Sequence, residues 1–207
     1  MTHAQIPDED STLAGFTKIY AETNPPWDIG KPQPPFIAIA DQINGPLLDC
    51  GCGTGGTSVY FAARGLAVTG IDFVKQAVDL AKARATATKV SVEFLVKDAM
   101  TLVTWDRTFA SVIDSGLYHI YERIDRRHYV DGLRHVLQPG GKLFLFSFAD
   151  GPNAPGGGFT REDIARDFAD GWQIESLDYA EGELNPAFER PEQLEGLKMW
   201  FAVIRRI

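Results

Sequence analysis

The stretch "LLDCGCGTGG", residues 47–56, restricts the possible fold more than any other segment. "PLLDCG" reads as a short apolar strand that runs into a glycine-rich turn, and "TSVYFAARG" after it reads as a helix stopped by Gly65. Glycines at 51, 53 and 55 let the backbone turn sharply and let a ligand approach the main chain. Taken as Gly51, Gly53 and Gly56, they also match the G-x-G-x-x-G pattern of dinucleotide sites, which is weak alone. A phosphate-binding P-loop is excluded, because no Gly-Lys-Ser/Thr follows.

The same alternation continues downstream. "LAVTGID", "VSVEFLVKD", "FASVIDSG" and "KLFLFSF" read as strands, separated by the helical patterns "KQAVDLAKARA" and "DRRHYVDGLRHVL". Strands alternating with helices imply parallel βαβ units and a doubly wound sheet with helices on both faces. The last two strands, "WQIESLDY" and "KMWFAVIRR", have no helix between them, so a terminal antiparallel hairpin is expected. The fold class is α/β, with a seven-stranded, mostly parallel sheet. One domain over 1–207 is expected: an N-terminal helical cover (1–44), a core (45–150) and a C-terminal part (151–207). Residues 9–23 carry Leu13, Phe16, Ile19 and Tyr20 at helical spacing. The Pro-rich segment 24–35 should be neither regular helix nor central strand. "FIAIADQI" should be a short helix and "REDIARDFAD" another.

Ligands of such sheets bind outside the carboxyl ends of the strands, near the switch point. Three acids fall at successive strand ends: Asp49, Asp72 and Asp98. Each alone could be a helix cap or turn residue. As a set beside the glycine loop they suggest a site. Asp49 would repel a pyrophosphate but suits the cationic methionine moiety of S-adenosylmethionine. Asp72 is placed to accept hydrogen bonds from both ribose hydroxyls, as NAD enzymes also require. Asp98 could accept from the adenine amino group, with Phe73 and Met100 sandwiching the ring.

The net charge of −8 argues against a phosphate backbone as the main partner. No apolar run approaches the ~18 residues of a membrane span, and the N-terminus lacks the apolar segment of a secretory signal. Cys50 and Cys52 are too close for comfortable disulfide geometry and make a poor zinc site. Reduced thiols suit a cytoplasmic location.

Together "LLDCGCGTGG", "VTGID", "VKDAM", "VIDSGLYH" and "VLQPGGKLFLF", in order over residues 45–150, resemble the class I S-adenosylmethionine-dependent methyltransferases. The segments "PPWDIGKPQP" and "DSGLYHIYERIDRRHYVDGLRHVLQPGG" are similar to small-molecule members related to the thiopurine and tellurite-resistance types and to bacterial quinol and phenol O-methyltransferases. The resemblance implies S-adenosylmethionine as cofactor and S-adenosylhomocysteine as product. It implies Gly51, Gly53, Asp72 and Asp98 as cofactor contacts, and Trp27, Asp49, Cys52, Phe73, Ala99, Met100 and Asp114 are expected around the cofactor with them. The expected partner is a small aromatic acceptor, with no nucleic acid and no membrane, on a monomer or homodimer.

"NPPW", residues 24–27, has the look of the tetrapeptide of methyltransferases acting on DNA amino groups. It follows a helical pattern here, not the fourth strand, whose end holds Asp114-Ser115-Gly116-Leu117. It therefore reads as coincidence. Trp27 would instead pack on the methionine end, where a sulfonium over an aromatic face gains ~1 kcal/mol; the plainer alternative is a core tryptophan.

The acceptor must be held near the methyl, and a phenol or quinol also benefits from losing its proton. His119 lies five residues past Asp114, on the cofactor side, and is the candidate base, with Asp114 as its catalytic companion. His128 and His135 point away from the stripe Val130, Leu133, Val136 and Leu137, which suggests a solvated face. His3 falls in a tail. No convincing metal cluster is visible, although Asp114 and Asp150 stand at strand ends. Tyr20, Trp27, Tyr118, Tyr121, Phe148, Phe159 and Phe188 should ring one mouth, with Tyr20, Tyr118, His119, Phe148 and Phe188 touching a flat substrate. Arg190 reads as an exposed loop arginine. The expected reaction is methyl transfer to oxygen. Transfer to sulfur or nitrogen, a Rossmann dehydrogenase using NAD, and a protein that binds S-adenosylmethionine without catalysis are the alternatives.

Overall fold

A computed structural model describes residues 13–22, 25–151, 153–188 and 196–207. His3, Asn24 and Arg190 lie outside them. Seven strands form one sheet: β1 Leu47–Cys50, β2 Val68–Asp72, β3 Glu93–Val96, β4 Phe109–Ser115, β5 Leu137–Phe148, β6 Trp172–Ala180 and β7 Met199–Arg206. Their order is β3-β2-β1-β4-β5-β7-β6. The first five run parallel, and β7 inserts antiparallel between β5 and β6. This is the doubly wound sheet with a terminal antiparallel pair that the alternation predicts. The strand order reverses between β1 and β4, so a crevice opens beyond their carboxyl ends.

The central strands β1, β2 and β4 are buried on both faces, which explains their near-continuous apolar runs, whereas the edge strands β3 and β6 expose residues. Leu48, Cys50, Ile71 and Leu145 point toward helix α5, Arg123–Val136, and helix α6, Arg161–Asp167. Leu47, Ile113 and Phe144 point the other way, onto Phe36 and Phe61 from helix α2, Pro34–Ala38, and helix α3, Gly56–Ala63. Helix α4, Lys75–Thr88, packs Val78, Ala81 and Ala85 on Phe94.

Two sequence expectations change here. Helix α2 starts on Pro34 and Pro35, where regular helix was not expected. Proline is accommodated in a first turn because its missing N–H would have no partner there. "FIAIADQI" also breaks: α2 stops at Ala38 and a separate 3₁₀ turn spans Ala40–Gln42.

The first helix, α1 (Leu13–Glu22), places Phe16 edge-on to Phe73 after β2, with centroids 5.7 Å apart. The Pro-rich segment then wraps the start of α3. A Cβ on Gly56 would lie 2.7 Å from the Gly30 carbonyl carbon, so only glycine admits this approach. Arg84 of α4 ties the wrap down, donating to the Gly30 carbonyl (3.1 Å) and to the Thr54 carbonyl (2.9 Å). The loop after β6 closes on the same segment. Gln33 donates to the Glu183 carbonyl at 3.0 Å and accepts from its N–H at 2.7 Å, while Asn185 N–H donates to the Pro26 carbonyl at 2.8 Å.

Candidate functional site

The glycine loop, the ends of β2 and β3, and the turn after β4 line a narrow groove with a cavity volume of about 30 Å³. Gly51, Ile71, Asp72, Phe73, Asp98 and Ala99 lie along it, with Leu117, Ile120 and Tyr121 opposite. Gly51 and Gly53 both have positive φ, +72° and +50°, as a tight strand-to-helix turn requires.

Asp72 holds its own end of the groove. Its Oδ2 accepts from Gly53 N–H at 3.0 Å and its Oδ1 from Val74 N–H at 2.9 Å. Burial raises its pKa despite these bonds. Asp98 caps the 3₁₀ turn Ala99–Thr104, with Oδ1 accepting from Met100 N–H at 2.9 Å. Phe73 lines the groove as expected, but Met100 packs into the core and its carbonyl meets His128 Nε2 at 2.9 Å. The apolar wall comes from Leu117 and Ile120, which sequence reasoning missed because a 3₁₀ turn leaves no periodic signature.

Asp49 sits beneath the loop. It is buried and accepts from Ser58 Oγ at 2.6 Å. Desolvation pushes its carboxyl up to about 6, with Asp72 and Asp114 adding repulsion. Asp114 is fully buried, accepting from Leu117 N–H (2.8 Å), Tyr118 N–H (3.0 Å) and Tyr129 Oη (2.8 Å), and burial pushes it up to about 6. Asp114 thus staples the turn rather than facing an acceptor, which corrects its place as a catalytic companion. Crowded buried carboxylates favour a cation beyond the strand ends and disfavour a pyrophosphate. This set of acceptors therefore fits S-adenosylmethionine better than NAD.

A pH dependence follows. A carboxyl with a raised value holds its proton more tightly folded than unfolded. Its contribution is full below about pH 4 and is lost as pH rises through about 6. Asp49→Asn should match wild type near pH 4 and exceed it by roughly 3 kcal/mol above about pH 7, at 1.36 kcal/mol per unit. Denaturant unfolding across that range checks this; a difference independent of pH would contradict it.

Tyr20 comes closest to the loop from the cover. A Cβ on Gly53 would lie 2.9 Å from its Oη, and Asp72 contributes to raising its pKa, after burial. Tyr20 thus stands against the glycine loop. Trp27 stands one side chain further out, exposed, donating from Nε1 to Tyr20 Oη at 3.3 Å. Cys52 is buried under the loop with Val59 and Val78.

Past the turn after β4, His119 and Phe148 stack with centroids 3.9 Å apart and planes 21° apart. The Phe148 N–H donates to His119 Nδ1 at 3.4 Å. Burial alone pushes the imidazole down to about 3. Phe188 is half-buried in the loop after β6. Tyr118 does not join them. It is fully buried between Phe159 and Phe168 and donates to Asp167 Oδ2 at 2.8 Å. Phe159 is buried too. Asp167 also pairs with Arg126 Nε at 3.1 Å, and Arg126 donates to the Tyr121 carbonyl at 2.8 Å. His128 and His135 are exposed but not idle: His135 Nε2 meets the Trp105 carbonyl at 3.2 Å, so both clip α5 to the segment after β3.

No helix among the described residues is long and apolar enough to cross a membrane. Residues 47–141 match a family described as a methyltransferase domain. A 2-heptyl-1-hydroxyquinolin-4(1H)-one methyltransferase of Mycobacteroides abscessus is 32% identical over 142 residues, 67% of this chain and 63% of that protein. An uncharacterized methyltransferase of Schizosaccharomyces pombe is 30% identical over 50% of this chain and 72% of its own length. A structure solved for the conversion of a disulfide bond into a thioacetal group during echinomycin biosynthesis superposes with TM-score 0.82 at 30% identity, covering 94% of this chain and 93% of that one. With the strand-end acids, the glycine loop and the β7 insertion in place, the chain belongs to the class I S-adenosylmethionine-dependent methyltransferases.

Proposed function

We propose that this methyltransferase acts on an oxygen of a small aromatic molecule. The observation that carries this is the flat His119–Phe148 stack beyond β4 and β5, next to the turn that walls the groove. It offers a planar acceptor an aromatic surface. The hydroxyquinolone specificity in the name of the Mycobacteroides relative supports it. Because the chain spans 63% of that relative, the acceptor is inferred here from the site.

Asp72 would accept from the ribose hydroxyls and Asp98 from the adenine amino group, between Phe73 and the Leu117–Ile120 wall. The Gly51–Gly53 backbone and Tyr20 would receive the methionine end, with Trp27 closing over them. The cofactor supplies an electrophilic methyl on a sulfonium. The chain's own task is to orient the acceptor within about 3 Å of it and exclude water. The buried, unpaired thiols of Cys50 and Cys52 support a cytoplasmic location.

A sulfur acceptor is the second reading, favoured by the thioacetal-forming protein whose structure superposes along almost the whole chain. A screen of hydroxyquinolones, phenols, quinols, thiols and amines, read by mass spectrometry for a 14-Da gain, separates the two. Turnover of oxygen acceptors at least about tenfold above thiols is expected. Thiol preference would move the assignment to sulfur, and cofactor binding without any methylation would leave a binding protein.

A further inference from the structure

The turn after β4 assigns His119 a chemistry opposite to proton removal. Its Nδ1 lone pair accepts from the Phe148 N–H, a group that is always a donor. In the neutral ring the proton must then sit on Nε2. Protonating the ring would set an N–H against the Phe148 N–H, and the half-buried stack resists the charge. Nε2 itself bonds to nothing among the described residues. It lies beside Gly116, where a Cβ would come within 3.7 Å of it and 3.3 Å of Cε1, and where φ is +99°. Glycine therefore keeps that edge of the ring clear.

The ionisable groups around the turn are committed. Asp114 beneath it accepts from two backbone N–H groups and from Tyr129 of α5. Tyr118 donates to Asp167 of α6, which also holds Arg126 of α5. Tyr121 lines the groove with its phenol held protonated by burial. Around the turn, these groups offer the acceptor no free basic lone pair.

We propose that His119 presents Nε2–H as a neutral hydrogen-bond donor to the attacking atom, so that the site selects acceptors that arrive as anions, such as acidic phenols and N-hydroxy heteroaromatics. This rests on the aromatic O-methylation reading and narrows it. A donor bonded to an anion gains roughly twice what it gains with a neutral partner. The step balances without a base. The anionic oxygen forms the O–CH3 bond as the S–CH3 bond breaks, its electron pair stays on sulfur, and oxyanion plus sulfonium become ether plus thioether.

Two measurements test it. Nitrogen-15 NMR of the histidines, assigned with His119→Gln, reads the tautomer with no acceptor present. A neutral Nε2–H ring throughout about pH 5 to 9 is expected; an Nδ1–H tautomer or a ring that titrates in that range overturns the proposal alone. Steady-state kinetics then use phenols and N-hydroxyquinolones of graded acidity. The pH profile of kcat/KM should inflect at each acceptor's own pKa. His119→Ala should lose about 30-fold, and His119→Gln, which keeps an N–H donor, should recover most of it. A fixed inflection shared by all acceptors, with Gln as impaired as Ala, means a base and overturns the donor role. If the tautomer is as expected but no aromatic hydroxyl is methylated, the aromatic reading fails and takes this narrowing with it.

Discussion

Asp72→Ala is expected to weaken S-adenosylmethionine and S-adenosylhomocysteine about 1000-fold, enough to abolish binding in a calorimetric titration at micromolar protein. Two hydrogen bonds from ribose hydroxyls to an ionised carboxylate contribute about 1.5–3 kcal/mol each. Their loss is about 4 kcal/mol, or three decades in Kd. The carboxylate has a second duty that adds to the effect: it holds the Gly53 and Val74 N–H groups and so shapes the glycine loop. Asp72→Asn separates the duties, since an amide oxygen still accepts one backbone bond, and should lose about tenfold less. NAD serves as control and should not bind wild type. Undiminished binding by the alanine variant would remove Asp72 from the cofactor site.

Arg126→Met is expected to destabilise the fold by about 3 kcal/mol and lower Tm by roughly 6–12 °C. The Arg126 and Asp167 side chains are 11% and 10% exposed, so removing one partner strands a buried charge. Asp167 would keep Tyr118 Oη and Arg166, at 3.4 Å, which limits the cost. Arg126 also lies 4.6 Å from the Phe159 ring centroid, an interaction that methionine only partly replaces. Because Arg126 donates to the Tyr121 carbonyl, the groove wall should loosen and cofactor affinity fall several-fold. In a double-mutant cycle with Asp167→Asn, the pair should cost less than the sum of the singles. Unchanged Tm would show that the pair contributes nothing net.

What the sequence made legible was set by local rules. Strand-end acids and the glycine turn follow from the alternation of strand and helix, so Asp49, Asp72 and Asp98 could be placed before any coordinates. What it hid depends on partners far along the chain. Tyr118 looks like a loop aromatic near a mouth; Asp167, 49 residues later, draws it into the core. Met100 is set beside the adenine position by its number, but the 3₁₀ turn rotates it inward and gives the wall to Leu117 and Ile120. His128 and His135 lie on a polar helix face, and nothing in their spacing reveals the backbone carbonyls that they meet. His119 was found by position, yet its tautomer depends on one N–H from the neighbouring strand.

The reciprocal bonds between Gln33 and the Glu183 backbone bridge 150 positions of sequence. They imitate one rung of a sheet, using a side-chain amide in place of a main chain. The rung ties the N-terminal wrap to the loop after β6, two segments that no strand pairing joins. Moving either segment away would leave the Gln33 amide and the Glu183 backbone groups without these partners, so the two segments brace one another.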